Sequence, residues 1–183
     1  MTTEGTALLV MDVQSGILAR LSNTNAYLAK VTAAVDEAHK RNILVVYVVV
    51  GFRPGMPEAN SRNKSFGNIP KEMTAAMVNP QPAITPADTD VVVTKRRVSA
   101  FSGSDLEVIL RAKNIRHLVL AGIATSGVVL STVREAADMD YELTVLSDLC
   151  LDFDEEVHSV LINKVFSRQA AVMTSAEWSN SAD

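Results

Sequence analysis

The sequence predicts an α/β domain in which a mainly parallel sheet is covered by helices on both faces. Three observations carry that prediction. Short apolar runs alternate with amphipathic stretches from end to end, the pattern of repeated βαβ units. The runs are rich in Val, Leu and Ile with few polar interruptions, as strands buried on both faces require. Finally, 183 residues with 48% hydrophobic and 21% charged content suit one compact domain, because a chain of this length buries about 70% of its extended surface. Such a core needs no disulfide, and a chain whose one cysteine is Cys150 can form none internally.

The elements follow in order. Residues 6–11 (Thr-Ala-Leu-Leu-Val-Met) read as a buried first strand. Residues 27–41 place apolar side chains at 27, 28, 31, 34, 35 and 38, a helical stripe that stops at Asn42. Residues 43–50 are an unbroken run of β-formers, and 90–94 give a third strand. A short helix over 105–113 precedes a fourth strand at 117–121. A helix over 125–138, a fifth strand at 143–146, a helix over 155–166 and a sixth strand at 170–173 complete the series. The core spans about 6–174 of a single domain covering 1–183, and the polar tail from Ser175 is expected to fray. No repeat or linker interrupts the alternation. The one long irregular segment, Gly51 to about Pro86, gathers prolines, and a loop of this length is a candidate substrate loop or oligomer contact.

Charge and patterning exclude several functions. Net charge is −4 and no long basic run exists, so nucleic acid is not the expected partner. The short cluster Lys95-Arg96-Arg97 suits a local anion better than a polymer. The longest apolar run, 43–50, falls well short of the roughly 20 residues that span a bilayer, so no membrane partner is expected. The first residues carry no basic leader pattern, which points to a cytoplasmic location. The three histidines stand far apart, and no metal or cofactor is expected.

In a parallel sheet, ligands bind beyond the carboxyl ends of the strands near the switch point. The polar residues there are Asp12 and Gln14 after the first strand, Arg53 after the second, Lys95 after the third, the turn 122–127 after the fourth, and Asp148 with Cys150 after the fifth. Each also has a plain structural reading. Asp12 is a residue type that caps helices and turns, and Lys95 could be a solvated charge. Gln14 and Arg53 either meet substrate or tie down loops. Phe101 lines a pocket or staples its own loop, and Arg96 and Arg97 fit a rim or interface. Cys150 has Asp148 and Asp152 nearby, which disfavour a thiolate, so it reads as an inert, half-buried residue. His158 sits on a helix among Val157, Val160 and Leu161 as a packed or capping group.

Four segments together resemble a known family: Leu9-Val-Met-Asp12-Val-Gln14, Gly51-Phe-Arg-Pro-Gly55, Val93-Thr-Lys95 followed by Ser99-Ala-Phe101, and Leu120-Ala-Gly-Ile-Ala-Thr125. They are similar to the isochorismatase-like hydrolases, which include isochorismatases, nicotinamidases and N-carbamoyl amidohydrolases. The resemblance covers about 6–174. It implies a three-layer α/β/α fold of strand order 3-2-1-4-5-6, usually in dimers or larger homo-oligomers. Most members use an Asp-Lys-Cys triad, and Asp12 and Lys95 match its first two residues. The cysteine is expected six residues after Gly122, where this sequence has Val128. Valine has no nucleophilic atom, which closes the thioester route at that position. The metal-binding Asp-x-His stretch of nicotinamidases is replaced by Gly51-Phe-Arg53, so nicotinamide hydrolysis is not expected.

What the resemblance leaves is vinyl-ether hydrolysis of the isochorismatase kind. There Asp12 would be the general acid, while Lys95 would orient it and bind a substrate carboxylate. A non-proline cis peptide is implied at Ile123–Ala124. Free N–H groups of a helix beginning near Thr125 would form a cradle for an anion. Ile123, Ala124 and Thr125 thus join Gln14, Arg53 and Phe101 as candidate binding residues for a small carboxylated substrate. Two rival readings stay open: a catalytically silent descendant that binds a small anion or serves as an oligomeric partner, and a hydrolase using Cys150.

Overall fold

The computed structural model describes residues 4–22 and 24–181. Residues 1–3, where a leader would start, and 182–183 at the end of the polar tail lie outside the described residues. Strands β1 (Thr6–Met11), β2 (Leu44–Val50), β3 (Val91–Lys95), β4 (His117–Ile123), β5 (Glu142–Leu151) and β6 (Ala171–Met173) form one sheet in the order β3-β2-β1-β4-β5-β6. All five pairings are parallel. Order and direction agree with the sequence-based expectation, which allowed for a sheet only mainly parallel.

Side-chain alternation divides the strands between two apolar layers. Leu9 of β1 lies level with Val46 of β2 and Leu120 of β4. These three share one layer with the helices α4 (Leu106–Ala112) and α5 (Leu130–Asp138), through Leu106, Leu110, Val133 and Ala136. One residue earlier, Leu8, Val45 and Val119 are level and face the other layer. There the long helix α2 (Thr24–Lys40) presents Tyr27, Val31, Ala34, Val35 and Ala38, the stripe read from its spacing. The centre of the sheet is therefore dry on both sides, and β1 is buried along its whole length.

Several expectations need correction. The segment after Gly51 is not wholly irregular: it carries helix α3 (Lys71–Val78), and a short α1 (Ser15–Leu18) precedes α2. Strand β5 does not stop at 146 but runs to Leu151, so Asp148 and Cys150 lie inside it rather than after it. A register shift between Leu120 and Gly122 of β4 lets the longer strand stay paired, with Cys150 opposite Gly122. The polar Ser147 and Asp148 are tolerated because Ser147 donates to the Met173 carbonyl at 3.2 Å and Asp148 accepts from the Ser175 backbone N–H at 2.7 Å. The helix expected over 125–138 opens with a wide π turn (Thr125–Val129), within which Gly127 departs from helical angles, before α5 begins. Helix α6 (Glu155–Val160) likewise gives way to a π turn and a 3₁₀ turn before β6.

The tail does not fray at Ser175. Residues Ser175–Asn180 form α7, opened by a reciprocal capping box between Thr174 and Glu177. Its Trp178 is only 3% exposed, packed in the α2 layer. The Arg41 guanidinium lies 5.1 Å over the indole and donates to the Trp178 carbonyl at 3.3 Å. Sequence polarity misled because one aromatic anchor and a cap outweigh four polar neighbours in the helix. Trp178→Ala should therefore lower the unfolding free energy by about 4 kcal/mol in urea titration. A loss below about 1 kcal/mol would show that the helix is peripheral to the core.

Candidate active site

The sheet's carboxyl edge gathers the chemistry. Asp12 follows β1 directly with φ of +57°, a left-handed conformation that Asp adopts more readily than most residues. Its N–H donates to the Val48 carbonyl at 2.8 Å, so the turn is still tied to β2. Lys95 ends β3, two strands away, level with Val50. A lysine side chain is long enough to cross most of that gap, roughly 10 Å at ordinary strand spacing. The crossing is completed: Lys95 Nζ lies 2.9 Å from Asp12 Oδ2, both side chains being nearly inaccessible to water.

The ammonium has two more partners. Lys95 Nζ donates to the Arg97 carbonyl at 2.9 Å and to the Val98 carbonyl at 3.0 Å. Three protons meet three acceptors, which leaves no donor for a substrate carboxylate. The ammonium expected to receive that group is thus engaged by Asp12 and the loop backbone, and it meets Asp12 by direct contact. Asp12 Oδ1, by contrast, is buried without a hydrogen-bond partner. Burial raises the Asp12 pKa to about 6, while the Lys95 charge and hydrogen bond pull it back without cancelling the shift.

Both residues line a cavity of about 560 Å³, and so do Val128, Ile123 and Ala124. The Ile123–Ala124 peptide is cis. Gly122 just before it allows β4 to close on β1: a Cβ there would lie 2.4 Å from the Met11 carbonyl oxygen. The segment after Gly51 supplies the roof, with Phe66 and Ile69 ahead of α3 and Met73 and Met77 on it. Phe66 and Ile69 come from chain without periodicity, whereas Met73 and Met77 share a face of α3 at helical spacing, a signal hidden within a proline-rich segment. Pattern reading also missed Arg20 and Phe153, which line the same cavity. Arg20 follows α1 and stacks its guanidinium 4.5 Å over the Phe153 ring.

Other expected site residues do not reach the cavity. Gln14 clamps Val50, accepting from its N–H at 2.9 Å and donating to its carbonyl at 3.4 Å. Arg53 points to Glu58, with which it forms an ion pair. Phe101 stacks on Tyr141 at 6.1 Å within the core. Thr125 is fully buried, its hydroxyl 2.8 Å from His158 Nδ1, so His158 braces the turn. The proposed anion cradle is already partly filled, because the Ser126 N–H donates to Asp152 at 2.6 Å. Arg96 and Arg97 are also engaged: they donate to the carbonyls of Gly51 and Glu58 at 2.7 and 3.0 Å, and hold the roof segment rather than a ligand.

Cys150 is wholly buried rather than half-buried, and does not line the cavity. Burial pushes its thiol up to about 12, only partly offset by a hydrogen bond from the Gly122 backbone. It holds its proton at any physiological pH. Among the described residues no group of His, Cys, Asp and Glu is placed to hold a metal ion. No helix of the described residues is long and apolar enough to cross a membrane.

Comparison with known proteins follows the same outline. The model of the isochorismatase domain family matches residues 6–177. The uncharacterized isochorismatase family protein YwoC of Bacillus subtilis is 32% identical over 177 residues, which cover 94% of this chain and 92% of that protein. A ureidoacrylate amidohydrolase, RutB, of Stutzerimonas stutzeri is 28% identical over 174 residues, covering 81% of this chain and 70% of the relative. Among solved structures, an isochorismatase family protein from Burkholderia thailandensis superposes with a TM-score of 0.81 at 28% identity, over 95% of this chain and 93% of that one.

The raised pKa of Asp12 has a consequence for stability. Its folded value, about 6 against 3.8 for the free group, means that the contribution is full below pH 3.8 and is lost as pH rises through 6. Relative to an Asp12→Asn variant, which cannot ionise, the wild-type protein should lose about 3 kcal/mol between pH 4 and pH 7. Paired urea titrations at the two pH values measure this, and a pH-independent difference would contradict it.

Proposed function

This chain belongs to the isochorismatase family, and from that premise we propose a hydrolase that attacks a small carboxylated substrate without a sulfur nucleophile. The bond that fits best is the vinyl ether of an isochorismate-type compound. One observation carries the reading: Asp12, with a pKa near 6 and Oδ1 unpartnered, faces a cavity in which Val128 holds the place of the family's cysteine. A carboxyl of that pKa donates a proton near neutrality, as general acid catalysis requires.

The step balances without any group beyond water. The Asp12 carboxyl gives its proton to the terminal vinyl carbon, whose π electrons form the new C–H bond. Positive charge spreads over the adjacent carbon and the ether oxygen. Water adds to that carbon and returns a proton to the Asp12 carboxylate. The resulting hemiketal breaks its C–O bond, its hydroxyl proton moves to the departing oxygen, and pyruvate and a ring alcohol leave. Lys95, held 2.9 Å away, stabilises the carboxylate during the interval when it is bare. The apolar roof shields the cationic intermediate from other nucleophiles.

A second reading, a silent ligand-binding member, draws on the same Val128, because loss of a nucleophile also fits loss of activity. Pyruvate release from isochorismate separates the two. Turnover is expected, with kcat/KM level below pH 6 and falling about tenfold per pH unit above it. Asp12→Asn should cost at least about 100-fold while retaining native circular dichroism, and Cys150→Ala should keep its turnover. Absence of pyruvate at every pH would favour the silent reading, and activity lost in Cys150→Ala would restore a thiol mechanism.

A further inference from the structure

We propose that Arg20 is the residue that receives a carboxylate of the substrate, and that the remainder of the ligand is a compact ring seated against apolar walls. The inference deepens the hydrolase reading and rests on it for the identity of the reacting bond, though not for the binding itself.

Three observations combine. First, the Lys95 ammonium is spent on Asp12 and two carbonyls, so the cavity's innermost cation has no donor for an incoming ligand. Second, Arg20 lines the same cavity, and among the described residues its guanidinium has no acid or carbonyl partner. Its guanidinium carbon lies 4.5 Å from the centroid of the Phe153 ring. That contact consumes none of its N–H donors, so the fork stays able to meet a carboxylate with two parallel hydrogen bonds. Third, Asp12 is the single acid among the described residues that line the cavity. In the protonated state that donates to substrate it is neutral, which leaves Lys95 and Arg20 facing the ligand as uncompensated positive charge.

The walls define the rest of the ligand. Met73 and Met77 roof the cavity above Val50 and Val128. Unbranched methionine side chains adapt to flat or cyclic hydrocarbon surfaces. A cavity near 560 Å³ takes one ring with a short substituent. Polar ureide or amide groups would lie against Ser65 and Asn68 at best, whereas an apolar ring meets apolar side chains on most sides.

Calorimetric titration with benzoate and its uncharged isostere benzamide tests the assignment without any turnover. Wild-type protein should prefer benzoate by about tenfold or more, the worth of a charge-assisted pair. Arg20→Leu should erase that preference, and Arg20→Lys should keep part of it. Met73→Trp, which fills the space under the roof, should abolish binding of both probes and so place them inside. Equal affinities in the wild-type protein, a preference that survives Arg20→Leu, or binding that survives Met73→Trp would each overturn the proposal. Because pyruvate is not measured, failure of the Asp12 mechanism leaves this test intact, and failure here leaves that mechanism standing.

Discussion

A carboxylate and an ammonium group 2.9 Å apart, both shut away from water, set the terms for everything at this edge of the sheet. Their attraction favours ionisation of Asp12, and desolvation opposes it. Desolvation prevails, because the pKa rises to about 6 despite the cation beside it. Burial is the largest cause of that outcome, and Oδ1, buried without a hydrogen-bond partner, brings no further donor to oppose it. The protein thereby retains at its centre a group that costs stability at neutral pH. Such a residue is expected where activity rather than folding has decided its identity.

The topology makes the encounter possible. Strand β1 is central, and the chain leaves it for β2 and β3 on one side and for β4 on the other. Asp12 thus emerges at the point where the connections diverge, the customary ligand position in open parallel sheets. Lys95 reaches it across β2, while Gly122 lets β4 draw close enough for the turn carrying Val128 to form the opposite wall. The His158 contact to Thr125 and the Asp152 contact to Ser126 fix that turn from below. At that turn the side chain that meets the cavity is the hydrocarbon of Val128.

How much of this the sequence disclosed depends on range of interaction. The parallel sheet and the α2 stripe follow from buried runs, where a residue's environment is set by its own element. The strand order and the convergence of Asp12 and Lys95 are instead implied by the family resemblance of the motifs at strand ends. Gln14, Arg53 and Phe101 occupy strand-end or loop positions of the same kind, yet their side chains turn to Val50, Glu58 and Tyr141. Position along the chain does not reveal rotamer choice. Phe66, Ile69 and Arg20 come from connections without periodicity, Met73 and Met77 from a short helix inside a proline-rich segment, and their packing over the sheet identifies them. For α7 a signal was present: Thr174 with Glu177 three residues later is a capping box, overlooked because the surrounding residues are polar. The length of β5 gave no local signal, since Ser147 and Asp148 are tolerated in a strand only through partners on β6 and at the start of α7.

The three-way grip on Lys95 bears on energetics beyond the pair itself. Its ammonium is fastened by Asp12 and by the backbone of the same loop that leaves β3, so its position is fixed when the chain folds, ahead of any ligand. Solvent around an exposed cation must rotate each time charge appears nearby, and that reorientation is part of an uncatalysed barrier. Here the dipoles are already aligned, and the work of arranging them was done once, during folding. Folding free energy is in this sense stored as an electric field that is in place before any ligand arrives.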